Sequence, residues 1–222
     1  MKKLVKLSMM VATAFCALQA SAALLSYSGS PGLAIPDNNP SGLGFGFNVN
    51  TPEFDIESLT VTLNISGGYN GDIYAYLSHA SGFAVLLNRT GVTGSDPAGY
   101  PDNGFSVMLV AGGTDIHDYR TTLGGAPAGG VLTGTWGADG RLEPTDILRE
   151  NTLDVFTGQN PNGDWTLFLA DRSPGSISTL DSWMVDIEAV PEPANVALAV
   201  FGGIFAFAQG VRLWRQRRAM KV

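Results

Sequence analysis

The chain has 222 residues, 45% of them hydrophobic, with 13 Lys+Arg against 20 Asp+Glu for a formal net charge of -7. That length allows one domain or two, and the acidic balance excludes a nucleic-acid binder, which needs a basic face. The charge is partitioned. All four lysines (Lys2, Lys3, Lys6, Lys221) and four of the nine arginines (Arg212, Arg215, Arg217, Arg218) lie at the ends, while 23–190 holds five arginines against 19 carboxylates, 25 of the 28 glycines and no cysteine.

Met1 to Ala22 reads as a secretory signal peptide. Lys2, Lys3 and Lys6 form its positive region, Leu7 to Leu18 its apolar region, and Ala20-Ser21-Ala22 its small-x-small cleavage site. The apolar run of about twelve residues is short for a membrane span. The single cysteine, Cys16, falls inside this segment, and Phe15 before it argues against lipidation. Cleavage after Ala22 leaves a cysteine-free chain, although the export route would permit disulfides. The Sec machinery is the partner such a peptide implies.

From Ala23 onward the signal is alternation with period two. Leu59, Val61, Leu63 and Ile65 alternate with polar residues up to Gly67-Gly68; Ile73 to Leu77 and Phe83 to Leu87 are joined by the hairpin residues Ser78 to Gly82. Phe105, Val107 and Leu109 alternate, then Trp165, Leu167 and Leu169, then Leu180, Trp183, Val185 and Ile187. No window between 23 and 190 shows a long helical period. Short strands separated by Gly and Pro turns predict an all-β fold, a β-sandwich or jelly roll, with a core large enough to need no staples.

Val190-Pro191-Glu192-Pro193 reads as a stiff extended junction, since neither proline suits a strand or helix interior. The stretch 194–211 has Asn195 and Gln209 as its only strongly polar members and is marginally long enough for a transmembrane helix. Arg215, Arg217, Arg218 and Lys221 follow, and the positive-inside rule places that tail in the cytoplasm.

A Pro-Glu-Pro motif, a hydrophobic helix and a terminal Arg cluster, in that order over 191–222, resemble the PEP-CTERM sorting signal. The resemblance implies processing near Pro191, Glu192 and Pro193 by exosortase, a membrane cysteine protease of Gram-negative bacteria that make exopolysaccharide. Arg215, Arg217 and Arg218 then form the basic end of the signal. The implied fate is transient anchoring in the inner membrane, then the cell surface or extracellular matrix.

The body carries a second resemblance. Ile35-Pro36-Asp37-Asn38, Gly71-Asp72-Ile73-Tyr74-Ala75-Tyr76-Leu77, Gly82 and Asn88-Arg89-Thr90-Gly91, with Asn162-Gly163-Asp164-Trp165-Thr166-Leu167, Ala170-Asp171 and Leu180-Asp181-Ser182-Trp183, are similar to the P domain, or P/Homo B. The similarity runs from Ile35 to Glu188 and is poor over Ala111 to Arg149. It implies an eight-stranded jelly-roll sandwich over 23–190. Such a domain accompanies a subtilisin-like catalytic domain in proprotein convertases and bacterial proteases, supporting folding and calcium-dependent activity.

Catalysis is not expected from this chain. A serine-protease triad needs a His base, and the body offers only His79, in a turn, and His117, in an acidic loop; both read as exposed loop residues. No Gly-x-Ser-x-Gly elbow occurs, and isolated His without Cys gives no zinc spacing. Calcium is the better ion, with Asp72, Asp96, Asp102, Asp164, Asp171 and Asp181 as candidate ligands at loops and strand ends, Asn103 beside Asp102. The same acids also suit turns and solubility. Trp165 and Trp183 alternate in phase with aliphatic residues and read as core, whereas Tyr69, Tyr74, Tyr76, Tyr100 and Trp136 read as candidates for a binding face. The sequons at Asn64 and Asn88 read as chance matches. The resulting expectation is an exported, non-catalytic surface or matrix protein, structural or adhesive in an exopolysaccharide layer. The alternatives are a calcium- or carbohydrate-binding module and an accessory domain for a separate serine endopeptidase.

Overall fold

The computed structural model describes residues 22–52, 54–191 and 193–219. Apart from Ala22, the expected signal peptide lies outside the described residues, as do Glu192 and Lys221. The chain divides into a compact unit, Ala23–Ala189, and a second comprising Met1–Ala22 and Val190–Val222.

The first unit is the expected all-β sandwich, with ten strands rather than eight. In chain order they are β1 (Ala23–Gly29), β2 (Leu33–Ala34), β3 (Asn39–Val49), β4 (Phe54–Gly67), β5 (Ile73–His79), β6 (Gly82–Asn88), β7 (Gly104–Asp115), β8 (Leu132–Gly137), β9 (Gly163–Asp171) and β10 (Ser178–Pro191). A five-residue helix, α1 (Tyr119–Leu123), lies between β7 and β8. One sheet has the order β1-β10-β4-β7-β8, with the short β2 also on β10; the other has the order β3-β9-β5-β6. Strands β7 and β8 run parallel, from Phe105↔Leu132 to Val110↔Gly137, so the sandwich departs from a purely antiparallel jelly roll.

The core follows from the alternation. Val61, Leu63 and Ile65 of β4, Ala75 and Leu77 of β5, Trp165, Leu167 and Leu169 of β9, and Val185 and Ile187 of β10 are all buried in one cluster. Fully burying an aliphatic side chain contributes about 1.5–3 kcal/mol before entropy is counted. Trp165 and Trp183 lie inside, as their phase predicted. Strand β3 enters through a register shift between Asn39 and Leu43. Gly42 sits there at φ +46°, where a Cβ would lie 2.1 Å from the Leu169 carbonyl oxygen, so only glycine fits the bend.

In the second unit α2 (Pro193–Ala219) is continuous over 27 residues. At the expected stiff junction 190–193, β10 carries extended backbone to Pro191 and Pro193 opens the helix, a position where a missing N–H costs least. Among the described residues no helix is long and apolar enough to cross a membrane.

Candidate functional site

The outward positions of β9 organise the most distinctive surface of the sandwich. Phe168 pairs across to Tyr76 on β5 and to Gly44 on β3; Thr166 pairs to Ser78 and Gly46. The Tyr76 and Phe168 rings stack at 4.8 Å and 18°. Phe83 of β6 joins at 5.0 Å from Tyr76, and Tyr74 meets Tyr76 edge-on at 6.0 Å. The Arg172 guanidinium lies 5.7 Å from the Tyr74 ring centre. All four rings are half-buried. Burial, with the neighbouring Tyr76, raises the Tyr74 phenol, so its hydroxyl stays a donor.

Beside this strip β3 presents Gly44, Gly46 and Asn48 outward. A Cβ on Gly44 would meet nothing within 4 Å, so the backbone floors an open trough against Phe168. At the far end Asn48 Nδ2 donates to Asp164 Oδ1 at 2.7 Å. Aromatic faces beside a bare trough with hydroxyl, amide and carboxylate groups at its edge combine an apolar platform with orienting polar groups. Tyr74 and Tyr76 were legible as binding-face candidates. Phe83, Phe168 and the glycines were not, because their role needs the register of four strands.

The other expected aromatics separate. Tyr69 is exposed, while Trp136 is buried and donates its indole N–H to the Thr133 carbonyl at 2.9 Å, which corrects its place on a binding face. Tyr100 packs against the core, edge-on to Tyr119 at 4.7 Å. Asn88 is also buried, its amide donating to the Arg141 and Leu142 carbonyls, so that sequon offers no free side chain.

Both histidines correct the expectation of exposed loop residues. His117 is 3% exposed. Its Nδ1 lies 2.7 Å from Asp139 Oδ2 and its Nε2 3.0 Å from the Val92 carbonyl. The Val92 carbonyl can only accept and the Asp139 carboxylate accepts when ionised, so the geometry favours the doubly protonated ring. Burial opposes that charge, but the Asp139 hydrogen bond, the Asp139 charge and the Val92 carbonyl together outweigh it and raise the pKa. Arg141 closes the network, 3.2 Å from Asp139 and 2.6 Å from Asp115. A base must have a free ring nitrogen to take a proton, and neither nitrogen of His117 is free. His79 stacks on Trp165 at 4.3 Å; Ser81 N–H donates to its Nδ1, and Nε2 lies 3.0 Å from the Asn162 carbonyl oxygen.

The six expected calcium ligands are scattered except for one pair. Asp102 is committed to Arg120, at 2.6 and 2.7 Å, and to the Tyr119 hydroxyl at 2.5 Å. Asp164 accepts from Asn48, Asp96 lies in an exposed loop, and Asp181 is exposed on the other sheet. Asp72 and Asp171 come together at one end of the second sheet, where Ile73 pairs with Asp171. Among the described residues no group of three or more His, Cys, Asp or Glu side chains is arranged as a metal site.

No protein-family model matches the chain, and no curated protein matches it. Among solved structures it is similar to the serine protease of Aeromonas sobria, with TM-scores of 0.44 for the complex of that protease with its chaperone ORF2 and 0.42 for the protease. Each match is 14% identical and covers 77% of this chain and 27% of the other, and likeness at this level carries no weight for function. The chain spans about a quarter of the length of those proteins, as the 27% coverage records.

Proposed function

We propose that this is an exported, non-catalytic P-domain-like sandwich that binds polysaccharide at the cell surface or in the extracellular matrix. The aromatic strip Tyr74, Tyr76, Phe83 and Phe168 beside the Gly44–Gly46 trough carries the reading. A pyranose ring has one apolar C–H face that stacks on an aromatic ring and hydroxyls around its rim that need donors and acceptors. Asn48, Asp164, Ser78 and the Tyr74 hydroxyl stand at the edge of the platform to supply them. Delivery outside the cell rests on the signal-peptide pattern of 1–22. Sorting by exosortase rests on the Pro-Glu-Pro motif, the helix and the Arg cluster, in that order.

The test is retention on an immobilised exopolysaccharide. The wild-type chain is expected to be retained, and Tyr76→Ala combined with Phe168→Ala to pass through with an unchanged circular dichroism spectrum. Equal retention of wild type and variant removes the platform from the function. A wild-type chain that binds none of a panel of neutral and acidic polysaccharides overturns the reading.

A further inference from the structure

The two sheets end on one side of the sandwich in β1 and β3. Tyr27 of β1 stacks on Phe47 of β3 at 4.7 Å and 22°, and Phe45 and Phe47 each lie 5.9 Å from Trp183 of β10. Among the described residues no strand pairs with the outer edge of β1 or of β3. Their inward side chains Leu25, Tyr27, Leu43, Phe45 and Phe47 are only half-buried against the core.

The opposite side is closed. β6 is also the last strand of its sheet, yet Ala84, Leu86 and Leu87 are fully buried. The chain after β8 covers it. The Val85 N–H donates to the Asn151 carbonyl at 2.8 Å, and the Asp139 and Gly140 N–H groups donate to the Leu86 and Val85 carbonyls at 3.1 and 2.9 Å. No such segment reaches β1 or β3 among the described residues.

Edge strands are ordinarily blunted by charge, proline or a bulge. β3 has Pro40 and its register shift between Asn39 and Leu43. β1 has none of the three: its seven residues pair with β10 in unbroken register and include no charged residue and no proline. β3 also lacks a charged residue, in a body with five arginines against 19 carboxylates.

We propose that this open side docks a second copy of the chain, β1 lying antiparallel to the β1 of its partner about a twofold axis. The first sheets of the two copies then become one continuous sheet, and the half-buried side chains of both cores cover each other. Charge selects the occupant. A cationic partner would meet no carboxylate on β1 or β3, whereas two acidic bodies can approach here without like charges in contact. On this sheet the carboxylates nearest β1 stand one strand in: Asp186, which accepts from the Ser26 hydroxyl at 2.5 Å, and Glu188, opposite Leu24. Across the twofold the two Asp186 side chains are three strand spacings apart, about 14 Å, beyond the screening length of about 8 Å. Gly44 and Gly46 point outward where Leu43, Phe45 and Phe47 point inward, so the contact is distinct from the sugar platform.

Sedimentation equilibrium of the full-length chain, with amide hydrogen exchange, tests this. At about 50 μM, above the micromolar Kd of a transient interface, wild type should have the mass of two chains and no more. The amides of 23–29 should then exchange more slowly than at a hundredfold dilution. Leu24→Lys with Ser26→Lys, both exposed, sets cations along the edge. It should weaken association at least 100-fold, although it lowers the net negative charge, and leave the circular dichroism spectrum unchanged. Ser28→Lys, also exposed, is the second variant if that pair does not fold. Met108→Lys with Thr133→Lys adds the same charge at exposed positions on β7 and β8, and should dimerise as wild type does. A monomeric wild-type chain overturns the proposal and leaves the seam to an extended segment of another protein. Assembly beyond two chains overturns the twofold. Association that the edge lysines leave unchanged, or that the β7 and β8 lysines abolish equally, overturns the role of β1.

Discussion

The imidazole of His117 and the carboxylate of Asp139 meet at 2.7 Å where neither is open to solvent, and the second imidazole nitrogen is committed to the Val92 carbonyl. The contact with Asp139 favours the protonated imidazole of His117, and stability should therefore depend on pH. The folded pKa of His117 lies above the unfolded value of 6.5. Its contribution is fully present below that value and is lost as pH rises through the folded pKa. Urea midpoints should therefore fall as the solution is made alkaline, and His117→Gln should flatten that slope. A wild-type midpoint constant from pH 6 to pH 9 refutes the ionic pair.

The acid side should be governed by Asp102. Its carboxyl is desolvated, which would raise the pKa, but the hydrogen bonds from Arg120 and Tyr119 outweigh this and hold it below 3.8. A depressed carboxyl stabilises above its unfolded pKa, and the gain is lost as pH falls through the folded one. Asp102→Asn should cost about 2–3 kcal/mol at neutral pH, because Arg120 and Tyr119 lose a charged acceptor. Its acid unfolding, followed by circular dichroism, should also be less steep below pH 4.

Trp165 closes the core beneath the trough. It is fully buried, stacks on His79 at 4.3 Å, meets the Phe156 ring at 4.8 Å with a 53° tilt, and donates its indole N–H to the Pro161 carbonyl at 2.8 Å. Trp165→Ala should cost about 3–5 kcal/mol in denaturant unfolding. A cost under 1 kcal/mol would show the site collapsing around the loss.

Gly44→Tyr separates the platform from the fold. The added ring projects into open space, so stability should stay within about 0.5 kcal/mol of wild type. Polysaccharide retention should nevertheless fall at least tenfold, because the trough is filled. Unchanged retention would place the sugar elsewhere.

Six strands were legible because their alternation is clean: β4 from Leu59 to Ile65 is the clearest. The remaining four were hidden for physical reasons. In β3 every second residue from Gly42 to Gly46 is glycine, the poorest of strand formers by its own preference. Strand β8, also glycine-containing, is held in place by its parallel partner β7, a pairing that no local pattern announces. The His117–Asp139–Arg141 network arises within Ala111 to Arg149, the stretch where the similarity to the P domain is poor. The residues were visible as charges, but their burial depends on strands far away in the chain. Asp72 and Asp171 could be named as acids at strand ends, though not as neighbours, since 98 positions separate them and only the β5–β9 register joins them.

The pairing of β1 with β10 sets Ala23 opposite Ala189 and Gly29 opposite Trp183. The first strand to leave the ribosome therefore has its partner in the last. β3 likewise waits for β9, and neither sheet can be closed by a partial chain. Folding with so many distant contacts is slow and belongs to the finished polypeptide. The sandwich should thus remain an open chain throughout synthesis and close in one cooperative step only once β10 is available.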